Sequence, residues 1–453
     1  MSDASLGLPA PQRTIAVAAV LGAMTLVVLD ASVATIALPT IATDLGIAPA
    51  LSVSIVTAYQ VALVMALLPY GALAERYGYR RVFAGGVALF SLASVCAAMS
   101  TTLVWLVTAR CLQGLGAAAV MALGVALLRF SVHHSWLGIV VGWNALAVAL
   151  ASAAGPSLGA FILSVGNWHW LYALNVPLGV CVLLATRALP KADTSPHRLD
   201  LFSIGLNASA FALFFLGAQI ILARPGMAAV LFAAAGLSLW MLVRREKFKD
   251  SPLIPLDLLR GLSFRVSVVA SVCCFTGQTA ALVVLPFHLQ HELHQTPLAA
   301  GLYLTVWPLS VALAASAAGR LADRTSTARL CAMGAICLGF GLMAAAVWST
   351  QRNPWPFIPI AMVCGAGFGL FQVANNRNMF LSAPVTRSGA AGGMQGTARL
   401  TGQTAGAVIV ALLFSLGPSA ETSRIALVIA AIFTLLAGVA STLRVQVSSR
   451  AGP

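Results

Sequence analysis

The chain has 453 residues, 60% of them hydrophobic and 8% charged, with a mean hydropathy of +0.93. That composition lies outside the range of soluble domains and leaves no stretch polar enough to fold as one. A net charge of +14 would suggest nucleic acid in a soluble protein, but in so apolar a chain it reads as membrane topology, and nucleic-acid binding is excluded as its cause.

A bilayer core is crossed by roughly 20 helical residues. Fourteen spans are predicted, at 14–38, 51–71, 82–99, 102–127, 135–163, 168–188, 201–222, 226–243, 265–287, 297–318, 328–349, 355–376, 389–416 and 423–443. The first follows a polar start without a basic n-region and reads as an uncleaved helix. It carries Asp30, and with Pro39 taken as its outer end the helical rise puts that carboxylate about 14 Å deep. The second span contains Tyr59 and Gln60 and runs into "GALAERYGYRRV" at 71–82, where Gly71 is expected to let the chain leave the helix in a tightly packed turn. In that loop Arg76, Arg80 and Arg81, with Glu75 accepting and Gly78 between them, can reach carboxylates or helix ends on the facing half and so act as a gate.

The fourth span enters near Thr102 and holds Arg110 about 12 Å from that end, a depth matching that of Asp30. The fifth carries Trp143 and Asn144, then Gly155, Pro156 and Gly159, where proline kinks the helix and glycine permits close approach of a neighbour. Polar strings at 187–200 and 244–261 bracket spans seven and eight as an inserted module. In the ninth span lie Phe275 and Gln278, and at its outer end His288, His291 and His294 with Glu292, an interfacial group that can also sense pH. Trp307 follows in the tenth, Phe371 and Gln372 in the twelfth, and Arg399 in the thirteenth, where it is expected to donate to backbone or a neighbouring helix. The eight cysteines lack metal-ligand spacing and are expected to pack.

The chain is duplicated. "GRLADRTSTARL" at 319–330 echoes the earlier loop at a displacement of 248 residues, placing Asp323 and Arg324 as the second gate, and "VCGAGFGLFQ" at 363–372 echoes "LQGLGAAAVM" at 112–121. An N-terminal six-helix bundle over 1–188, a linker with two inserted helices over 189–263 and a C-terminal bundle over 264–453 follow, in an all-α integral membrane protein. Of the 26 basic residues, 21 fall on the face shared by both termini, three on the other and two inside spans, which sets both termini in the cytoplasm.

"GALAERYGYRR" resembles the loop motif of the major facilitator superfamily, with Glu75 where Asp is usual; "LDASVATIALPTIATDL" (29–45), "AAGPSLGA" (153–160) and "NWHWLYALNVPLG" (167–179) resemble elements of its fourteen-span drug:proton antiporters. Ala160 stands where that family's fifth-helix motif has a second Gly, and His169 where Arg is common. The resemblance implies a major facilitator-type fold in a bacterial inner membrane, a proton-handling acid at Asp30 and a fifth helix that favours exchange over leak.

The residues themselves point the same way. Desolvation favours a neutral Asp30 and a nearby Arg110 favours a charged one, so the acid is poised to exchange a proton, all the more if a cationic guest competes for it. A drug cavity is apolar and aromatic with few polar groups, for which Tyr59, Gln60, Trp143, Asn144, Phe275, Trp307 and Phe371 are candidates. The expectation is proton-coupled efflux of lipophilic, cationic drugs by alternating access. It is set against a symporter or uniporter for another small metabolite, and, far behind, a membrane enzyme or scaffold. No cofactor or metal is expected, and the partners are the small lipophilic substrate, protons and membrane lipid around a functional monomer. A single deep acid supplies neither a nucleophile with its base nor a carboxylate pair, and no GxxxxGK[ST] phosphate cradle exists.

Overall fold

The structure, a computed structural model, describes residues 8–190, 200–221, 223–247, 258–321, 325–348, 355–384, 388–417 and 420–450. Among these are fourteen helices long and apolar enough to cross a membrane. In the first half they are α1 (Ala10–Asp44), α2 (Pro49–Tyr77), α3 (Tyr79–Ala98), α4 (Leu103–Ser131), α5 (His134–Val165) and α6 (His169–Ala188). The inserted pair is α7 (Leu201–Ile220) and α8 (Pro225–Glu246). The second half comprises α9 (Leu262–Glu292), α10 (Pro297–Leu321), α11 (Thr327–Trp348), α12 (Phe357–Leu381), α13 (Ser388–Ser415) and α14 (Ala420–Arg450).

Several helices overrun their predicted spans. Pro39 does not end α1, because one missing N–H costs a single bond while Ile41 and Ala42 beyond it stay buried; the chain turns at Gly46, whose φ is 60°. Likewise α2 passes through Gly71 without leaving the helix, and a Cβ at Gly71 would meet nothing within 4 Å, so the expected tight exit is not there. The reversal falls at Gly78, with φ 94° and its N–H donated to Ala74 O at 2.9 Å.

The two halves repeat one packing scheme. In the first, α1 lies on α5 and α6, while α4 receives α2 and α3; in the second, α9 lies on α13 and α14, while α12 receives α10 and α11. The repeat extends to single residues. Gly114 of α4 lies against the Tyr59 carbonyl, and Gly365 of α12 lies against that of Trp307; Gly116 abuts Gly86 as Gly367 abuts Gly334. In each crossing a side chain larger than hydrogen would strike backbone, so these glycines set the helix spacing. Tyr59 and Trp307 are therefore counterparts, one from each half.

Between halves, α2 packs on α13, α5 on α10 and α1 on α9. On the face opposite the termini, Gln290 Nε2 donates to Ile36 O at 3.4 Å, and residues of α1, α9, α10 and α13 share one buried cluster that includes Ile36, Leu38, Val284 and Phe287. Deeper, Ser157 and Thr305 hydroxyls are 2.5 Å apart, while Gly301 meets the Pro156 carbonyl and the Ala160 methyl. The departure at Ala160 is thus matched by a glycine across the interface. The inserted pair covers the α2–α13 seam, with Phe215 and Ala218 packed on Val408, and Asn207 Nδ2 donates to Met65 O at 3.0 Å, the carbonyl that Pro69 leaves without its helical partner. Of the cysteines, Cys274, Cys331 and Cys364 are buried as expected, whereas Cys96, Cys181 and Cys337 are exposed on span surfaces.

Gly301→Leu drives α5 from α10 and is expected to destabilise the protein by about 1–3 kcal/mol, the range for overpacking, read as a lower unfolding midpoint in detergent; an unchanged midpoint would show that the crossing is slack.

Candidate functional site

Burying a lone carboxylate in hydrocarbon costs several kcal/mol, and the N-terminal half spends five helices on satisfying Asp30. Asp30 on α1 is 3% exposed. Its Oδ2 accepts from Arg110 Nη1 of α4 at 2.6 Å and its Oδ1 from Asn175 Nδ2 of α6 at 2.7 Å. Arg110, 1% exposed, also donates to Gln113 Oε1 at 2.9 Å and to the Ile55 carbonyl at 3.4 Å. Gln113 passes the chain on to Ser94 Oγ of α3 at 2.8 Å. The guanidinium lies 4.3 Å from the Tyr59 ring centroid and 5.6 Å from that of Tyr172, a cation–π enclosure that excludes water.

Sequence reasoning brings Asp30 and Arg110 to one depth, and the structure brings them into contact, although their depths counted from the helix ends differ. Asp30 is 14 residues from the end of α1 and Arg110 seven from the start of α4, about 21 and 11 Å, so α1 overhangs α4 by the difference. Asn175, Gln113 and Ser94 were not anticipated. The signal for Gln113 is its i+3 spacing from Arg110; for Asn175 it is an amide in an otherwise apolar span.

The fifth-helix residues meet α1 directly. A Cβ at Gly155 would overlap the Ser32 side chain, and one at Gly159 would press on Ile36 and Val33. Pro156 has no N–H, which orphans the carbonyl four residues earlier at Ser152, and Ser32 Oγ donates to that oxygen at 3.2 Å. The Pro156 turn of α5 is thus stitched to α1 two residues beyond Asp30.

The loop residues Glu75, Arg76 and Arg81 are exposed and Arg80 is half-buried, and no ion pair joins Glu75 or these arginines to another described residue. Arg76 rests instead 5.4 Å from the Tyr77 ring. Asp323 and Arg324 lie outside the described residues.

The cavity candidates divide. Tyr59 Oη, Gln60 Oε1, Asn144 Oδ1, Gln278 Oε1 and Trp307 Nε1 are buried without a hydrogen-bond partner among the described residues. Trp143, by contrast, is half exposed on a stripe with Trp136, Ile139, Leu146 and Leu150, the apolar outer face of α5. Phe371 and Phe275 pack inside the second half, the first against Gly334 and the second edge-on to Phe368 at 5.2 Å. These three are corrected from cavity to packing or outer surface, since composition does not fix helix rotation. Arg399 was expected to donate to backbone or a neighbouring helix; its guanidinium makes no hydrogen bond or ion pair to a described residue, and its Nε is buried. At the opposite face His288 Nδ1 and Glu292 Oε2 are 2.6 Å apart, and His291 stacks on Phe287 with centroids 6.0 Å apart.

The family model described as Major Facilitator Superfamily matches the chain twice, over residues 20–268 and 267–452. An uncharacterized transporter of Escherichia coli (strain K12), YebQ, is 41% identical over 98% of both chains. The riboflavin transporter RibZ of Clostridioides difficile (strain 630) is 28% identical, covering 82% of this chain and 81% of its own. The tetracenomycin C resistance and export protein of Streptomyces glaucescens is 26% identical over 86% of this chain and 74% of its own. A solved structure of the peptide transporter POT in complex with sulfate superposes with a TM-score of 0.73 over 94% of both chains at 13% identity, a likeness of fold alone.

Arg110→Ala leaves Asp30 buried with Asn175 as its one partner, and loss of one member of a buried pair is costly. Transport is expected to stop or its pH optimum to move; a pH profile identical to that of the wild type would separate Arg110 from the acid's function.

Proposed function

Because the chain belongs to the Major Facilitator Superfamily, we propose that it exports small lipophilic compounds across a bacterial inner membrane in exchange for protons, by alternating access. It is a multi-pass membrane transporter and not an enzyme. In this reading two bodies, 1–188 and 264–453, rock about the centre, the segment 189–263 carries the inserted pair, both termini are cytoplasmic and the working unit is a monomer. Relatives named for multidrug resistance and for tetracenomycin C export support the direction of transport. The relative named for riboflavin favours a second reading, symport or uniport of one metabolite, against which the Gly155–Pro156 pair inside α5 stands.

The observation that carries the proposal is the enclosure of Asp30 by Arg110 and Asn175. A proton on Asp30 cancels its charge and weakens its hold on Arg110, loosening α1 from α4. α1 is also the helix whose Ile36 carbonyl accepts from Gln290 across the halves, under two turns further out, so the protonation state of one side chain bears on closure of that face. The loop charges Glu75, Arg76, Arg80 and Arg81, without an ion pair among the described residues, fit a state in which the opposite face is shut and the loop contacts await the other conformation. A cationic cargo needs an open Asp30, and with both oxygens occupied that preference has no support here.

Asp30→Asn is isosteric and is expected to abolish pH-driven dye efflux from proteoliposomes while the protein still inserts and folds. Undiminished pH-driven efflux by this variant would remove the mechanism.

A further inference from the structure

The charges at the centre do not cancel. Asp30 and Arg110 neutralise each other, and Arg399 has no ion pair or hydrogen bond among the described residues. It lies 11 residues into α13, about 16 Å from the helix start, deep within the span. Its direction follows from its neighbours at 100° per residue. Gly393, Gly396 and Leu400 face α2, against Leu68, Leu67 and the N-terminal cluster; Gly402 and Gly406 face α9, against Val272, Phe275 and Thr276. Arg399 falls between these two faces, at the interface of the halves, within electrostatic reach of the Tyr59 phenol.

A guanidinium at this depth without an anion or acceptor is costly, and such intramembrane charges mark substrate paths. Tyr59, on the α2 helix that α13 packs against, and Trp307, its counterpart from the other half, both carry an aromatic body and a buried polar tip without a partner among the described residues. The repeat gives Arg399 no charged counterpart. Gly402 and Gly406 correspond to Gly155 and Gly159 as the glycines that seat α13 on α9 and α5 on α1, which puts Ser152 in the equivalent place. The positive charge is therefore peculiar to one side of the interface.

We propose that Arg399 is the cargo-recognition residue, and that the cargo is an aromatic compound bearing a carboxylate or comparable anionic oxygen, which the guanidinium binds while Tyr59 and Trp307 flank the rings. This rests on the export reading above and specifies its substrate class. The guanidinium can hold the anionic oxygen by two parallel N–H donors. Separation of α2 from α13 opens the place where it binds, and Asp30, already paired, stays free of the cargo to handle the proton.

The test uses two xanthene dyes of similar size, anionic fluorescein and cationic rhodamine 6G, with purified full-length protein in vesicles of zwitterionic lipid alone, so that no anionic headgroup competes. Binding by fluorescence anisotropy reads the recognition residue; pH-driven flux reads export. Wild type is expected to bind fluorescein more tightly than rhodamine 6G. Arg399→Gln should raise the fluorescein Kd by about tenfold or more and leave rhodamine 6G unchanged, with Arg399→Lys recovering much of the loss and so excluding a folding defect. Equal fluorescein affinity in wild type and Arg399→Gln, no fluorescein binding, or tighter binding of the cation overturns the proposal. Fluorescein binding that depends on Arg399 without pH-driven flux supports the recognition residue and counts against proton-coupled export, so the two claims fail separately.

Discussion

A carboxylate held away from water needs a partner for each oxygen, and that requirement organises the N-terminal half of this protein. Arg110 and Asn175 occupy the two oxygens of Asp30, Gln113 and the Ile55 carbonyl hold Arg110, and Ser94 holds Gln113. Replacing such a network with apolar side chains often costs nothing in stability, so its retention argues for a task. The task that suits a single, fully enclosed acid is to change charge, because each protonation state demands a different arrangement of the donors around it.

The interface between the halves is built on the opposite principle, with small residues and no charge pairs among the described contacts. Glycine meets backbone where α10 crosses α5, at Gly301 and the Pro156 carbonyl, and the Ser157 and Thr305 hydroxyls meet across the same crossing. Such surfaces can part and close again at little electrostatic cost, which suits bodies that move against each other. The duplicated scheme makes the exceptions informative: the paired charge sits in the first half, and Arg399, without a partner among the described residues, in the second.

Much of this is legible in the sequence. Fourteen spans follow from length and hydropathy, and the twofold repeat from loops 248 residues apart. Asp30 and Arg110 stand out because charge is so rare in apolar helices. Helix ends were read less well, since α1 and α2 continue past Pro39 and Gly71 while their apolar residues remain buried, and the turns fall where Gly46 and Gly78 take positive φ. Rotation about the helix axis was not legible at all. Trp143, Phe275 and Phe371 have the composition of a cavity, but the first lies on an outer stripe and the others in the packing of the second half. Neutral polar partners such as Asn175 carry only a weak signal, an amide among apolar residues, and the fold alone shows that this amide reaches the acid.

The most direct measurement is infrared difference spectroscopy of the purified protein across a pH step, comparing wild type with a sample in which the Asp30 carboxyl is absent. The account predicts a protonated-carboxyl C=O band that appears as pH falls, disappears with Asp30, and shifts in its midpoint when cargo is added. A wild-type spectrum with no such band across the pH range in which transport operates would contradict it.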